Sequence, residues 1–311
     1  EKGSNWVATR TQLNLNTAEF TGTLVPQATN ASDGRFTLNT ASNLAQGRMD
    51  IPSGIVVQNT GKVYTIGELT GSGSLGGGCT FSNGATVGVN TWKVGSRGTD
   101  FTFGGSIVAD AKFEKVGAGT MTVTGASDFT GTAVISEGAV CLNKGASKVA
   151  MLGKGTLTVN EGAVLCGAGM LGNKTITLKS GSLMRPGTKE SSVSGTIRMD
   201  GSRLNINEGA TLRFSLSSRS LYTKLTNAGN VVLNGTLKVD VRDGAEFNEG
   251  DEFQLWEADN TTLGATTLCL KALFGILQIL LLAFCVWRLP MQFKLLMMLS
   301  KPSVSYIMPM A

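Results

Sequence analysis

The chain has 311 residues, of which 41 are Gly, 27 basic, 22 acidic and none His. Gly at about twice its ordinary share, without a Gly-x-y period, excludes a collagen-like chain, and 41% apolar residues are too many for a disordered one. The missing imidazole excludes Ser-His-Asp and Cys-His nucleophiles, His-ligated metals and imidazole acid–base catalysis.

The net charge of +5 is unevenly placed, because residues 268–311 hold Lys271, Arg288, Lys294 and Lys301 and no Asp or Glu. Residues 1–267 are left with 23 basic and 22 acidic side chains, a balance that gives no electrostatic footprint for nucleic acid. Gly divides at the same place, with 40 before residue 268 and only Gly275 after it. Two compositional regimes therefore meet near Thr267, and the expected organisation is a β-rich body over 1–267 followed by an apolar, basic tail over 268–311.

The chain starts at Glu1 with neither an initiator Met nor a signal peptide, as expected of a mature form or of part of a longer secreted protein. In the first sixty residues, Ala28–Gly34 reads as a loop, and Arg35–Leu38 and Ile55–Gln58 read as strands. Further on come alternating runs closed by Gly, Asn or Ser. Examples are Thr120–Thr124, Thr156–Asn160, Thr175–Lys179 and Thr196–Asp200. Period-2 alternation rich in Thr, Val, Ile and Leu is a strand signature, and no helical stripe precedes residue 268.

Repeats select among all-β folds. The segments Glu137-Gly138-Ala139-Val140, Glu161-Gly162-Ala163-Val164, Ser180-Gly181-Ser182-Leu183 and Glu208-Gly209-Ala210-Thr211 place their glycines 24, 19 and 28 residues apart. Propeller blades need about 40–50 residues, whereas one coil of a parallel β-solenoid fits this spacing, with extra length in corner loops such as Arg185–Ser194. Strands stacked at ~4.8 Å would make ten to a dozen coils into a rod on the order of 50 Å long.

Residues 113–142, FEKVGAGTMTVTGASDFTGTAVISEGAVCL, resemble the autotransporter-associated β-strand repeat. Lys115, Gly117, Gly119, Thr120, Gly125, Phe129, Thr130, Gly131, Thr132 and Gly138 occupy its pattern. Residues 162–187 resemble the segment that follows this repeat in bacterial passenger domains, and Tyr64–Gly73 also fits. The resemblance covers roughly residues 60–257. It departs from the family at Val116, Met121 and Met184-Arg185. It implies a single-stranded right-handed parallel β-helix on a secreted or surface-exposed protein of a Gram-negative bacterium. The family has no shared catalytic residues to carry over.

The chemistry-bearing candidates are few. Gly71–Gly76 and Gly167–Gly172 both match Gly-x-Gly-x-x-Gly, but strand sequence follows where a dinucleotide site needs a helix, so both read as solenoid corners. Lys238, Asp240 and Arg242 alternate on one strand with Asp243 beside them, which makes a charged face; one Asp there is too few for a calcium-dependent lyase site. Asp251-Glu252 reads as a turn. Trp92, in a polar stretch, is the candidate for an exposed ring that touches a glycan. Cys79, Cys141, Cys166, Cys269 and Cys285 have no zinc-like spacing, and the Gly landmarks put Cys141 level with Leu165 and Met184 in the stacked core. Phe129, Phe214, Phe253 and Trp256 read as core residues. Asn30, Asn173, Asn234 and Asn260 begin Asn-x-Ser/Thr triplets that an Asn- and Thr-rich chain produces by chance.

In the tail, Ala272–Trp287 contains one polar residue, Gln278, between Lys271 and Arg288. A helix there is shorter than the ~20 residues a span needs, though its basic flanks could snorkel. A shifted reading frame or a membrane anchor over 268–289 would each produce such a segment. The expected function is non-enzymatic: an extracellular stalk, display module or adhesin-like passenger, monomeric, without cofactor, metal or nucleic acid, with surface glycans or host-surface components as partners. The alternative is an accessory or catalytic module of a polysaccharide-active, lyase-like protein.

Overall fold

The computed structural model describes residues 11–13, 20–27, 34–38, 44–59, 61–78, 88–145, 148–188, 194–245, 247–248, 251–264, 267–271, 277–284 and 291–299. Among these residues every regular element is a strand. The strands stack in parallel as a β-helix whose coils visit three faces in turn. The first face carries Val63–Gly71, Thr91–Val94, Lys112–Lys115, Ala133–Ile135, Thr156–Val159, Thr175–Leu178 and Arg203–Ile206 in one parallel ladder. The second carries Phe101–Phe103, Thr120–Val123, Ala139–Asn143, Val164–Leu171, Leu183–Pro186, Thr211–Leu216, Thr236–Val241 and Thr267–Lys271. The third begins with Thr11–Leu13, Arg35–Leu38, Val56–Asn59, Ser74–Gly78 and Ser106–Ile107. It resumes with Gly169–Leu171, Gly195–Met199 and the first half of Thr223–Leu233.

Alternation explains why these segments are strands and which side they bury. Thr120–Val123 and Thr175–Leu178 both point Thr outward and Met, Val, Ile or Leu inward. A single coil would leave that inward row in water; stacking buries it. On the first face one column runs Leu44, Ile66, Val94, Lys115, Ile135, Val159, Leu178, Ile206, Leu233 and Leu263, each in register with the next. These ten rows span about 40 Å at the ordinary inter-strand spacing. On the second face the core column is Phe101, Met121, Val140, Leu165, Met184, Leu212 and Leu237, which makes successive coils 20, 19, 25, 19, 28 and 25 residues long. Phe129, Phe214, Phe253 and Trp256 are fully buried, as their sequence context implies.

Both Gly-rich hexapeptides fall at corners with strand following. Gly71 ends one strand at φ 92°, and Gly167 bends the chain from the second face to the third at φ 112°. A Cβ at Gly167 would lie 2.0 Å from the Leu142 carbonyl oxygen of the coil before, so only Gly fits.

Two expectations need correction. Gly138 and Gly162 are not equivalent, because Ala139 pairs with Val164 and the coil between them carries one more residue than the glycine spacing indicates. A slip of one residue exchanges the two sides of a strand, so Cys141 is level with Cys166 and Arg185, not with Leu165 and Met184. The second correction concerns the tail, whose described residues are extended and not helical. Thr267–Lys271 continues the second face, and Leu277–Phe284 pairs antiparallel with Met291–Leu299. Met291–Leu299 then pairs antiparallel with Glu252–Leu263, against the last coil. A free ladder edge offers unpaired N–H and C=O groups, and Met291–Leu299 pairs with those of residues 252–258. Among the described residues no helix is long and apolar enough to cross a membrane.

The column makes each coil's stability depend on its neighbours. Leu178→Ala, in the middle of the ten-row column, is expected to cost about 2–5 kcal/mol in equilibrium urea unfolding. Thr177→Ala, a half-exposed neighbour, is expected to change it by less than about 1 kcal/mol.

Candidate functional site

Trp92 is not a glycan platform. It is fully buried, its ring packs edge-on against Tyr64 with centroids 6.0 Å apart, and its Nε1–H donates to the Gly76 carbonyl at 2.9 Å. The strand Thr91–Val94 turns Thr91 and Lys93 outward and Trp92 and Val94 inward. Beside it the buried Asn90 side chain donates to the Gly76 and Gly77 carbonyls and accepts from Gly61 N–H, tying three coil segments together.

Lys238, Asp240 and Arg242 do sit together on the outer side of the second face. Asp240 is buried against Arg213, with Lys238 Nζ 4.0 Å from its carboxylate, and Arg242 donates to Ser215 Oγ at 2.8 Å. Arg213 stands opposite Lys238 and Ser215 opposite Asp240 across adjacent strands, so one buried carboxylate draws together cations from two coils. Asp251 donates its N–H to the Asn248 carbonyl at 3.2 Å, as a turn residue does, and Glu252 opens the strand that follows; the Asp251 carboxylate is buried, accepts from Asn248 N–H at 2.9 Å and faces Arg219 at 3.9 Å. Asn173 is buried with its amide donating to the Leu152 carbonyl at 2.8 Å, so it cannot carry a glycan. Asn30, Cys79 and Cys285 lie outside the described residues, as does most of the Ala28–Gly34 loop.

A groove of about 610 Å³ opens on the outer side of the third face. Lys148, Arg198 and Lys224 line it together with Tyr222, Thr196 and Thr226. Thr196 pairs with Lys224 and Arg198 with Thr226, so cation and hydroxyl alternate in a checkerboard across two strands. Lys224 Nζ stands 5.9 Å from the centre of the Tyr222 ring. Such a surface offers charge and hydrogen-bond donors to an anionic, hydroxyl-rich ligand. The described lining residues include no carboxylate or imidazole that could act as an acid–base pair. Sequence reasoning missed the groove, because its cations come from three separate segments.

Lys115 is the one polar member of the ten-row column, fully buried between Val94 and Ile135. Its Nζ donates to the carbonyls of Val116 at 2.9 Å, Gly117 at 2.7 Å and Glu137 at 3.4 Å, the last on the next coil. Gly95, at φ 106°, leaves room for the ammonium group: a Cβ there would stand 3.1 Å from Nζ. Burial pushes the amine down to about 8, against the pull of Glu137 and Asp100. Glu68 behaves differently. Burial alone would raise its carboxyl, but hydrogen bonds from Thr99 and Arg48 and the charges of Arg48 and Arg97 hold it below the ordinary value. Both groups tie neighbouring coils. Among the described residues no three His, Cys, Asp or Glu side chains are grouped as a metal site would need.

No protein-family model matches the chain, and no curated protein matches it.

The lowered Lys115 value carries a sign. The unfolded chain holds that proton to about pH 10.4 and the folded one only to about 8, so folding releases a proton between them and stability rises with pH across that window. Relative to Lys115→Met, the unmodified protein is expected to gain on the order of 2–3 kcal/mol from pH 8 to 10.5 in parallel urea titrations.

Proposed function

We propose that the chain is a non-enzymatic β-helical rod of a secreted or surface-exposed bacterial protein, serving as a stalk or display module in the manner of autotransporter passengers. The observation that carries this reading is the column of ten in-register rows on the first face. A ladder continued coil after coil sets a fixed length and a stiff axis, which is what spacing one module from another requires. The resemblance of residues 113–142 to the autotransporter-associated repeat supports the same reading. Lys115 and Gly117 of that motif take part in the buried carbonyl-binding turn, which gives the pattern a structural cause.

The cation-lined groove favours a second, compatible reading: binding of an acidic polysaccharide, as an adhesin or as an accessory module of a polysaccharide-active protein. Lys148, Arg198 and Lys224 supply the charge and Thr196, Thr226 and Tyr222 the hydroxyls.

Three measurements test these readings. Deleting residues 156–174 removes one complete coil, since Thr156 is in register with Thr175; the variant is expected to fold cooperatively and, by small-angle scattering, to be shorter by about 5 Å. An antibody to the β-helix is expected to label intact source cells, and labelling only after permeabilisation would overturn the surface assignment. For the groove, the combined change Lys148→Ala, Arg198→Ala and Lys224→Ala is expected to weaken polygalacturonate binding at least about tenfold in calorimetry at low salt, with unchanged circular dichroism.

A further inference from the structure

Cys141 and Cys166 meet on successive coils. The strands Ala139–Asn143 and Val164–Leu171 place them directly opposite each other, between the pairs Val140–Leu165 and Leu142–Gly167. Val140, Leu165 and Leu142 belong to the core, so alternation turns both cysteines to the outer side of the sheet. They are nevertheless only 4% and 1% exposed. Thr188, from a later coil, reaches the first of them, and its carbonyl accepts the Cys141 thiol at 3.4 Å. The two thiols hydrogen-bond each other, and Arg185 follows Cys166 in the same outer column. Core packing does not account for two thiols side by side on an outward face.

We propose that Cys141 and Cys166 form a dithiol that closes to a disulfide between consecutive coils, by exchange with a low-molecular-weight disulfide of the glutathione type. Neighbouring strands lie about 4.8 Å apart, within the 4.4–6.8 Å that a disulfide spans between Cα atoms. The Cys141 thiolate attacks one sulfur of the small disulfide, whose S–S bond breaks and releases one thiolate. The mixed disulfide at Cys141 is then attacked by the Cys166 sulfur after it loses its proton, which releases the second thiolate. Two protein thiols are oxidised, one small disulfide is reduced to two thiols, and the two protons pass to them. The order follows from the surroundings. The Cys166 hydrogen bond, with the nearby Arg185 charge, holds the Cys141 thiol below its ordinary value despite burial, whereas Cys166 is pushed up. The product is a covalent tie between two coils that are otherwise joined only by hydrogen bonds and packing at this face.

Equilibration of the full chain with oxidised glutathione, alkylation of remaining thiols and tryptic mass mapping test this directly. Cleavage isolates Cys141 on residues 116–144 and Cys166 on residues 155–174. The expected result is one linked peptide, two hydrogens lighter than the sum of the two, and a melting midpoint about 5 °C or more above the reduced protein. That rise is expected to vanish in Cys141→Ala/Cys166→Ala. Recovery of both cysteines alkylated, a glutathione adduct persisting on Cys141, or linkage to Cys79, Cys269 or Cys285 instead would each overturn the proposal. If the double variant does not fold, the peptide map of the unmodified chain decides alone.

Discussion

In-register stacking governs this protein. Each coil presents an apolar row that it cannot bury and backbone groups that it cannot pair, and the neighbouring coil resolves both at once. From that constraint follow the long columns of like residues, such as Leu157, Ile176 and Leu204, and the parallel order of the strands. Corner glycines follow as well, since Gly167 lets one coil pass within contact of the carbonyl of the previous one. Beside Glu252–Leu263 the antiparallel strand Met291–Leu299, itself paired with Leu277–Phe284, supplies the hydrogen bonds instead.

The same stacking determines where polar chemistry goes. Inside, the side chains of Lys115 and Asn90 are held by bonds to backbone carbonyls. Outside, residues one coil apart become lateral neighbours whatever their separation in sequence. Asp240 thereby meets Arg213, Thr196 meets Lys224 and Cys141 meets Cys166. An ion cluster, a cation-lined groove and a dithiol are therefore three products of one register.

Much of the fold was legible because strand alternation and corner glycines are local signals. The 19-residue interval from Gly162 to Gly181 is one coil, and the 28-residue interval to Gly209 is the next, with Gly181 donating to the Gly209 carbonyl. The interval from Gly138 to Gly162 misled, since an extra residue in the coil leaves the glycines out of step while the ladder stays in register. Trp92 was misjudged from its polar neighbours, although the alternation Thr91-Trp92-Lys93-Val94 already turned it inward. For the apolar run from Ala272, length and hydropathy set a short membrane helix against a shifted reading frame, and neither registers that a ladder edge lay open beside it.

What the sequence determined by itself is therefore the class of fold, the approximate coil length and the absence of imidazole chemistry, because each depends on residue type or on spacing along the chain. The tertiary structure alone decided which residues share a row. A single inserted residue per coil exchanges inside for outside, and only the backbone ladder fixes where that residue is absorbed. Lys148, Arg198 and Lys224 could not be grouped from the sequence for this reason, and Cys141 could not be set beside Cys166.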